Sequence, residues 1–188
     1  MKIRLLAYTL VTLMLVTLFS CSDSDKESLA KDAQNMTETT YKGTWNIGGQ
    51  RADGHMTVSP FQFSYTDFPM SKLLSELLPG HAVTCPSGVY AMEYTLQGSS
   101  DKAAYYTLRD NVWQTSAQID GKEKQILLKF VALPVNAGFQ TGSQATYSQM
   151  SGNYLVTLRL TAYEISDATG SVEKNETCNV TMAFTTHK

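Results

Sequence analysis

The chain has 188 residues, of which 43% are hydrophobic and 17% charged, and its formal net charge at pH 7 is −2. Its lysines and arginines form no cluster of the kind that a nucleic-acid-binding surface requires, so no nucleic-acid partner is expected. The roughly 150 residues that follow position 40 are enough for one domain with a substantial hydrophobic core.

The N-terminal segment has the pattern of a bacterial lipoprotein signal. Lys2 and Arg4 precede the uncharged apolar run Leu5–Phe19, which is shorter than the roughly 20 residues of a membrane-spanning helix. Ser20 is a small residue of the type that signal peptidase accepts, and Cys21 follows it directly. We therefore predict that residues 1–20 are removed and that the thiol of Cys21 is lipidated.

The residues after Cys21 are polar and acidic, with the order Ser22-Asp23-Ser24-Asp25-Lys26-Glu27. This stretch resembles the export tag of Bacteroidetes-type lipoproteins, which implies an outer-membrane lipoprotein displayed on the cell surface. Alternatively it is a solvated linker and the protein faces the periplasm, because this composition favours disorder in any case. Residues 21–40 are predicted to form a lipidated N-terminus with a flexible polar tether, and residues 41–188 a single all-β domain.

Hydrophobic residues alternate with polar ones along most of that domain, which is typical of strands buried on one face. Asp120-Gly121 and Ala168–Ser171 have turn sequences and predict hairpins. About eight antiparallel strands are expected, arranged as a β-sandwich or, alternatively, as a β-barrel. They are Lys42–Ile47, Gly54–Tyr65, Val89–Gln97, Ala103–Leu108, Val112–Ile119, Glu123–Leu133, Gly152–Ile165 and Thr177–Thr185.

Two segments interrupt the alternation. Ser71–Leu78 places four leucines on one helical stripe, with Ser71 available as a cap and Pro79-Gly80 ending the helix. A helix this short is stable only when packed, so we expect it to plug one open end of the β-structure. Pro134–Ser151 is rich in small and polar residues and is predicted to be a long loop.

Cys85 and Cys178 are the two cysteines of the predicted domain. In an oxidising compartment such a pair is often bridged, so a disulfide is one expectation. The other is two separate, partly buried thiols that behave as small hydrophobic side chains.

Motifs for catalysis, cofactor binding and metal binding are missing from the sequence. His81 and Cys85 supply too few ligands for a structural zinc site, so no metal and no cofactor are expected. The carboxylates are scattered, and Asp120 lies in a turn, where aspartate is favoured without a catalytic role. A hydrolase whose site is assembled from distant residues remains an alternative to a protein without catalytic activity.

Aromatic residues near predicted loop tips are the candidate ligand-binding side chains: Tyr105, Tyr106, Trp113 and Tyr147. Exposed aromatic faces of this kind hold sugars or peptides in many surface proteins. Alternatively, Trp113 and one of the adjacent tyrosines belong to the core, because alternation sends the two tyrosines to opposite faces of a strand.

The sequence also resembles two groups of known proteins. Gly43-Thr44-Trp45 resembles the Gly-x-Trp opening of calycin and lipocalin-like barrels. Over its whole length the chain is similar to uncharacterised Bacteroidetes lipoprotein domains, which share the lipid leader and a Phe-Pro motif, here Phe68-Pro69, before a short helix. This resemblance implies a lipoprotein of the cell envelope and contributes no known activity.

The expected function is a lipid-anchored binding or accessory module of the cell envelope, without catalytic activity. Its partners would be the membrane, through the anchor, and a glycan, a peptide or another envelope protein. The alternatives are a carrier of small apolar ligands with a calycin-like pocket and the hydrolase named above.

Overall fold

The structure, a computed structural model, describes residues 38–132 and 142–187. The predicted signal peptide, Cys21 and nearly all of the predicted tether lie outside the described residues, as do positions 133–141 of the predicted loop. Within the described residues, no helix has the length and apolarity needed to cross a membrane.

The described residues form eleven strands and one short helix, and every pairing between the strands is antiparallel. The predicted class, all-β and antiparallel with one short helix, is confirmed, although the strands number eleven rather than about eight. They are β1 Thr39–Ile47, β2 Gln50–Val58, β3 Gln62–Thr66, β4 Val83–Thr84, β5 Tyr90–Ser99, β6 Ala103–Leu108, β7 Asn111–Ile119, β8 Lys122–Phe130, β9 Gln144–Ser148, β10 Asn153–Ser166 and β11 Val172–His187, with helix α1 at Met70–Leu77.

The strands belong to one continuous sheet in the order β11-β1-β2-β3-β5-β6-β9-β10-β8-β7-β4. Because β11 also pairs with β10, the first eight strands of this order form a closed ring of pairings. Strands β8, β7 and β4 extend from β10 outside that ring, so the sheet is not a simple barrel. This three-stranded extension also contacts β5 of the ring. Asn111 Nδ2 and Trp113 Nε1 on β7 both donate to the carbonyl oxygen of Ala91 on β5.

Strand β10 serves both parts of the sheet, since its first half pairs with β9 and its second half with β8. A β-bulge between Leu160 and Ala162 changes which residues face the core. Val156 and Leu160 are buried before the bulge, and Tyr163 and Ile165 after it. Uninterrupted alternation would place Ala162 on the same face as Leu160 and Tyr163 on the opposite face; the bulge brings Tyr163 to the buried face instead.

Two further expectations are corrected. The predicted strand Gly54–Tyr65 is divided into β2 and β3 by the turn 59–61, which contains Pro60, a residue without a backbone N–H for the ladder. Part of the predicted loop Pro134–Ser151 is strand β9, which pairs with β6 on one side and β10 on the other.

Helix α1 buries its apolar stripe in the main core, and begins and ends within one residue of its predicted bounds. It lies beside the β1–β2 turn, since Lys72 Nζ donates to the carbonyl of Arg51 over 2.7 Å. The predicted cap is not formed: Pro69 occupies the N-cap position, and the Ser71 hydroxyl instead accepts a hydrogen bond from the Cys85 backbone N–H. The buried residues of α1 are Met70, Leu73, Leu74 and Leu77.

The core next to α1 is strongly aromatic. Trp45 packs edge-on against Phe68, with ring centroids 4.8 Å apart, and Trp113 contacts both Phe68 and Phe130. Gly54 permits this arrangement, because a Cβ there would lie 2.9 Å from the indole nitrogen of Trp45. Bulky rings thus fill the end of the molecule that the helix covers.

Candidate functional site

The end of the strand ring opposite α1 is lined by tyrosines from five different strands. On β1, for example, Ile47 precedes the turn beside α1, whereas Tyr41 lies near the other end of the same strand. We name this group the tyrosine cluster; its members are Tyr41 on β1, Tyr94 on β5, Tyr106 on β6, Tyr147 on β9 and Tyr154 on β10.

Tyr154 is the centre of the tyrosine cluster. Its ring centroid lies 4.6 Å from that of Tyr147, 5.1 Å from Tyr41 and 6.1 Å from Tyr106. Phe63, which is fully buried, lies beneath the cluster and stacks on Tyr94 at 4.5 Å. Edge-to-face and offset contacts of this kind hold aromatic rings in fixed relative positions.

Burial within the cluster is graded. Tyr94 and Tyr154 are buried, with 8% and 4% of their surface exposed, while Tyr41, Tyr106 and Tyr147 are half-buried. The hydroxyl of Tyr94 donates to the carbonyl of Ser59 over 2.7 Å. The three half-buried tyrosines therefore form the outer layer of the cluster, on a base of packed rings.

Burial raises the pKa of four phenols of the cluster, those of Tyr41, Tyr94, Tyr106 and Tyr154. Burial raises the pKa of Tyr94 to about 12, with a further contribution from neighbouring Tyr106. Burial also raises the pKa of Tyr41, and the nearby hydroxyls of Tyr147 and Tyr106 add to this effect. At neutral pH Tyr41 and Tyr94 therefore present ring faces and uncharged O–H groups, which donate and accept hydrogen bonds but do not act as bases.

The four predicted ligand-binding aromatics lie in three different places in the structure. Tyr106 and Tyr147 belong to the tyrosine cluster, and both contact Tyr154. Trp113 is only 3% exposed and packs in the core near α1, as the core alternative expected for this residue. Tyr105 is 41% exposed on the opposite face of β6 from Tyr106, and so it lies apart from the cluster.

Sequence reasoning missed Tyr41, Tyr94 and Tyr154 as site residues. Alternation puts Tyr94 on the same face of β5 as Met92, and Tyr154 on the same face of β10 as Val156; all four residues are buried. Their convergence at one end depends on the order of strands in the ring, which alternation within a strand does not reveal.

Two turns at this end carry exposed apolar side chains. Phe61, in the turn between β2 and β3, is 61% exposed, and its carbonyl accepts the backbone N–H of Tyr94. Met150, in the turn between β9 and β10, is 87% exposed. The β9–β10 turn is tied to the β5–β6 turn by a bond from the Gln149 N–H to the Lys102 carbonyl. Phe61 and Met150 thus lie at the rim of the tyrosine cluster.

Cys85 and Cys178 are both free thiols, so the predicted disulfide is not formed. Cys85 Sγ lies 3.2 Å from the carbonyl oxygen of Ser116 on β7, whereas Cys178 Sγ lies 3.8 Å from that of Leu160 on β10. Cys178 itself is on β11, and strands β8 and β10 lie between β7 and β11 in the sheet. The alternative expectation, two separate and partly buried thiols, is confirmed.

We expect both thiols to react with iodoacetamide. The protein is isolated without reductant and is then unfolded in the presence of iodoacetamide. Mass spectrometry should then find one adduct at Cys85 and one at Cys178. A sample reduced beforehand serves as the control and should show the same two adducts. Adducts that appear only after reduction would contradict the free-thiol structure.

Two of the three histidines form exposed pairs with aspartates. His55 Nδ1 lies 3.0 Å from Asp67 Oδ2, and His81 Nδ1 lies 2.6 Å from Asp120 Oδ2. The hydrogen bond with His81, followed by one from a backbone N–H, lowers the pKa of Asp120. Within residues 38–132 and 142–187, no group of three or more histidine, cysteine, aspartate or glutamate side chains is placed to hold a metal ion.

Comparisons with protein-family models, curated proteins and solved structures found no match to this chain.

Proposed function

We propose that the protein is a lipid-anchored binding module of the cell envelope, without catalytic activity, and that the tyrosine cluster is its binding site. The lipoprotein signal that ends at Cys21 supports the anchor and an outer-membrane, surface-exposed location. The single observation that supports the site is the convergence of five tyrosines, from five strands, at one end of the sheet.

The chemistry of the cluster favours binding over catalysis. The electrostatic neighbours that shift the pKa values of Tyr41, Tyr94 and Tyr154 are other tyrosines, and burial keeps these phenols protonated. General acid–base catalysis near neutral pH requires a group whose pKa lies near the working pH. Phenols with raised pKa values instead serve as fixed donors and acceptors of hydrogen bonds.

A hydroxyl-rich ring, such as a sugar of a glycan, is the ligand that this surface fits best. Aromatic rings provide flat apolar faces, and their hydroxyls provide a polar end for orientation. Phe63, Tyr94 and Tyr154 fill the interior beneath the outer layer, which favours contact at the surface over enclosure of an apolar ligand. Tyr41, Tyr106 and Tyr147 are then the side chains that touch the glycan.

Removing two outer hydroxyls is expected to weaken glycan binding. The test compares fluorescently labelled wild type with the double variant Tyr41→Phe/Tyr147→Phe on an array of envelope and host glycans. Each lost hydrogen bond costs about 0.5–1.5 kcal/mol, so the loss of two should lower the affinity for the glycans that the wild type binds by about 5- to 150-fold.

The matched control is Tyr105→Phe, which removes a tyrosine hydroxyl from the outer face of β6 and leaves the tyrosine cluster intact. Its binding should equal that of the wild type. A wild-type protein that retains no glycan, or an equal loss in the control, would contradict the proposed site.

A further inference from the structure

The polypeptide that leads from Cys21 joins the folded domain at the tyrosine end. Strand β1 begins at Thr39, two residues before Tyr41, and only the segment Ser22–Glu38 separates it from Cys21. The last residues of β11 lie at the same end, where His187 pairs with Lys42. An anchor on Cys21 would therefore attach the domain to the membrane at the end that carries the tyrosine cluster.

The rim at this end has the side chains of a surface that contacts lipid. Phe61 and Met150 project from two separate turns, with 61% and 87% of their surfaces exposed. Tyr41 and Tyr147 are half-buried just inside that rim. Tyrosines with an apolar ring and a polar tip are favoured at the membrane–water interface, next to apolar side chains that enter the hydrocarbon.

We infer that the tyrosine end docks on the lipid bilayer, with Phe61 and Met150 inserted at the interface and the outer tyrosines at the depth of the headgroups. The inference rests on the proposed lipid anchor at Cys21. It narrows the proposed ligand to glycans that a membrane lipid carries, because those are the sugars presented at headgroup depth.

The test places single tryptophans at the rim of the lipidated protein, isolated from membranes and reconstituted into phosphatidylethanolamine–phosphatidylglycerol vesicles whose acyl chains are brominated. The rim variants are Phe61→Trp and Met150→Trp. The native Trp45 and Trp113 are 0% and 3% exposed, so their fluorescence is a constant background. This background is measured on the wild-type protein and subtracted. Bromine quenches a tryptophan that reaches the boundary between headgroups and acyl chains, where interfacial side chains lie.

The matched control is Val172→Trp. Val172 is an exposed apolar residue, 54% accessible, in the first position of β11 after the β10–β11 turn, at the end remote from the tyrosine cluster. We expect most of the emission added at positions 61 and 150 to be lost in brominated vesicles, and the emission added at 172 to be retained.

Flotation of the same vesicles tests separately whether the lipid anchor attaches the protein to them. Protein that floats without quenching at 61 and 150, or with equal quenching at 172, would overturn the inference and leave the anchor and the glycan site standing. Protein that does not float would overturn the anchor, and the inference with it.

Discussion

Leu74→Ala is expected to lower the free energy of unfolding by about 2–5 kcal/mol, as for other leucines removed from a packed core. Leu74 is 1% exposed and belongs to the main hydrophobic core through the apolar stripe of α1. Because the core to which it belongs is closely packed, the space left by the side chain would be filled only partly. A helix of eight residues has little stability of its own, so it depends on its packing against the core. The lost packing therefore lowers the free energy of unfolding directly.

Chemical denaturation, followed by tryptophan fluorescence, measures this change. Ser75→Ala is the control on the same helix, since Ser75 is exposed and its substitution should alter stability by no more than about 0.5 kcal/mol. If Leu74→Ala left the midpoint where it is in the wild type, α1 would not be part of the stabilising core.

Cys21→Ser is expected to abolish lipid labelling and to release the protein from membranes. The thiol of Cys21 is the predicted acceptor of the diacylglycerol, and a serine hydroxyl does not replace it in that reaction. Stable anchoring takes more than one acyl chain, so loss of the lipidated cysteine removes the main source of membrane affinity. The exposed side chains Phe61 and Met150 are too few to hold the domain on the bilayer alone.

Metabolic labelling with a radioactive fatty acid and a carbonate wash of the membrane fraction test this prediction together. Cys178→Ser is the control, because it removes a free thiol from β11 and keeps Cys21. Labelled, membrane-retained Cys21→Ser protein would show that the N-terminal motif is not the lipidation site.

Local patterns in the sequence predicted those parts of the fold that depend on neighbouring residues. Alternation identified most strands, and the leucine stripe identified α1 to within a residue. The Asp120-Gly121 hairpin is confirmed, with both residues at positive φ as a two-residue turn between β7 and β8 requires. The break at Pro60 was missed, although proline interrupts a strand ladder and its position is a local signal for that break.

Features that depend on distant pairing were not predictable in this way. The bulge in β10 reverses its inward face in mid-strand, and β9 is short enough to read as loop until its partners β6 and β10 are known. The candidate site also depends on pairing between strands that are distant in sequence. Tyr106 and Tyr147 were identified as aromatics near turns, but their union with Tyr154 arises only when strands distant in sequence become neighbours in the ring.

Strand β11 has a consequence for the behaviour of the protein at high local concentration. Only Met182–His187 pairs with β1, so along Val172–Thr181 one side of β11 lacks a partner strand among the described residues. Such an edge invites strand addition from a second molecule and, at high local concentration, the growth of ordered aggregates. The edge carries alternating charges there, including Glu173, Lys174 and Glu176, which have to be stripped of water before another backbone can approach. Resistance to self-association is thus concentrated in the first residues of β11 and is weakest in the uncharged stretch Thr177–Thr181.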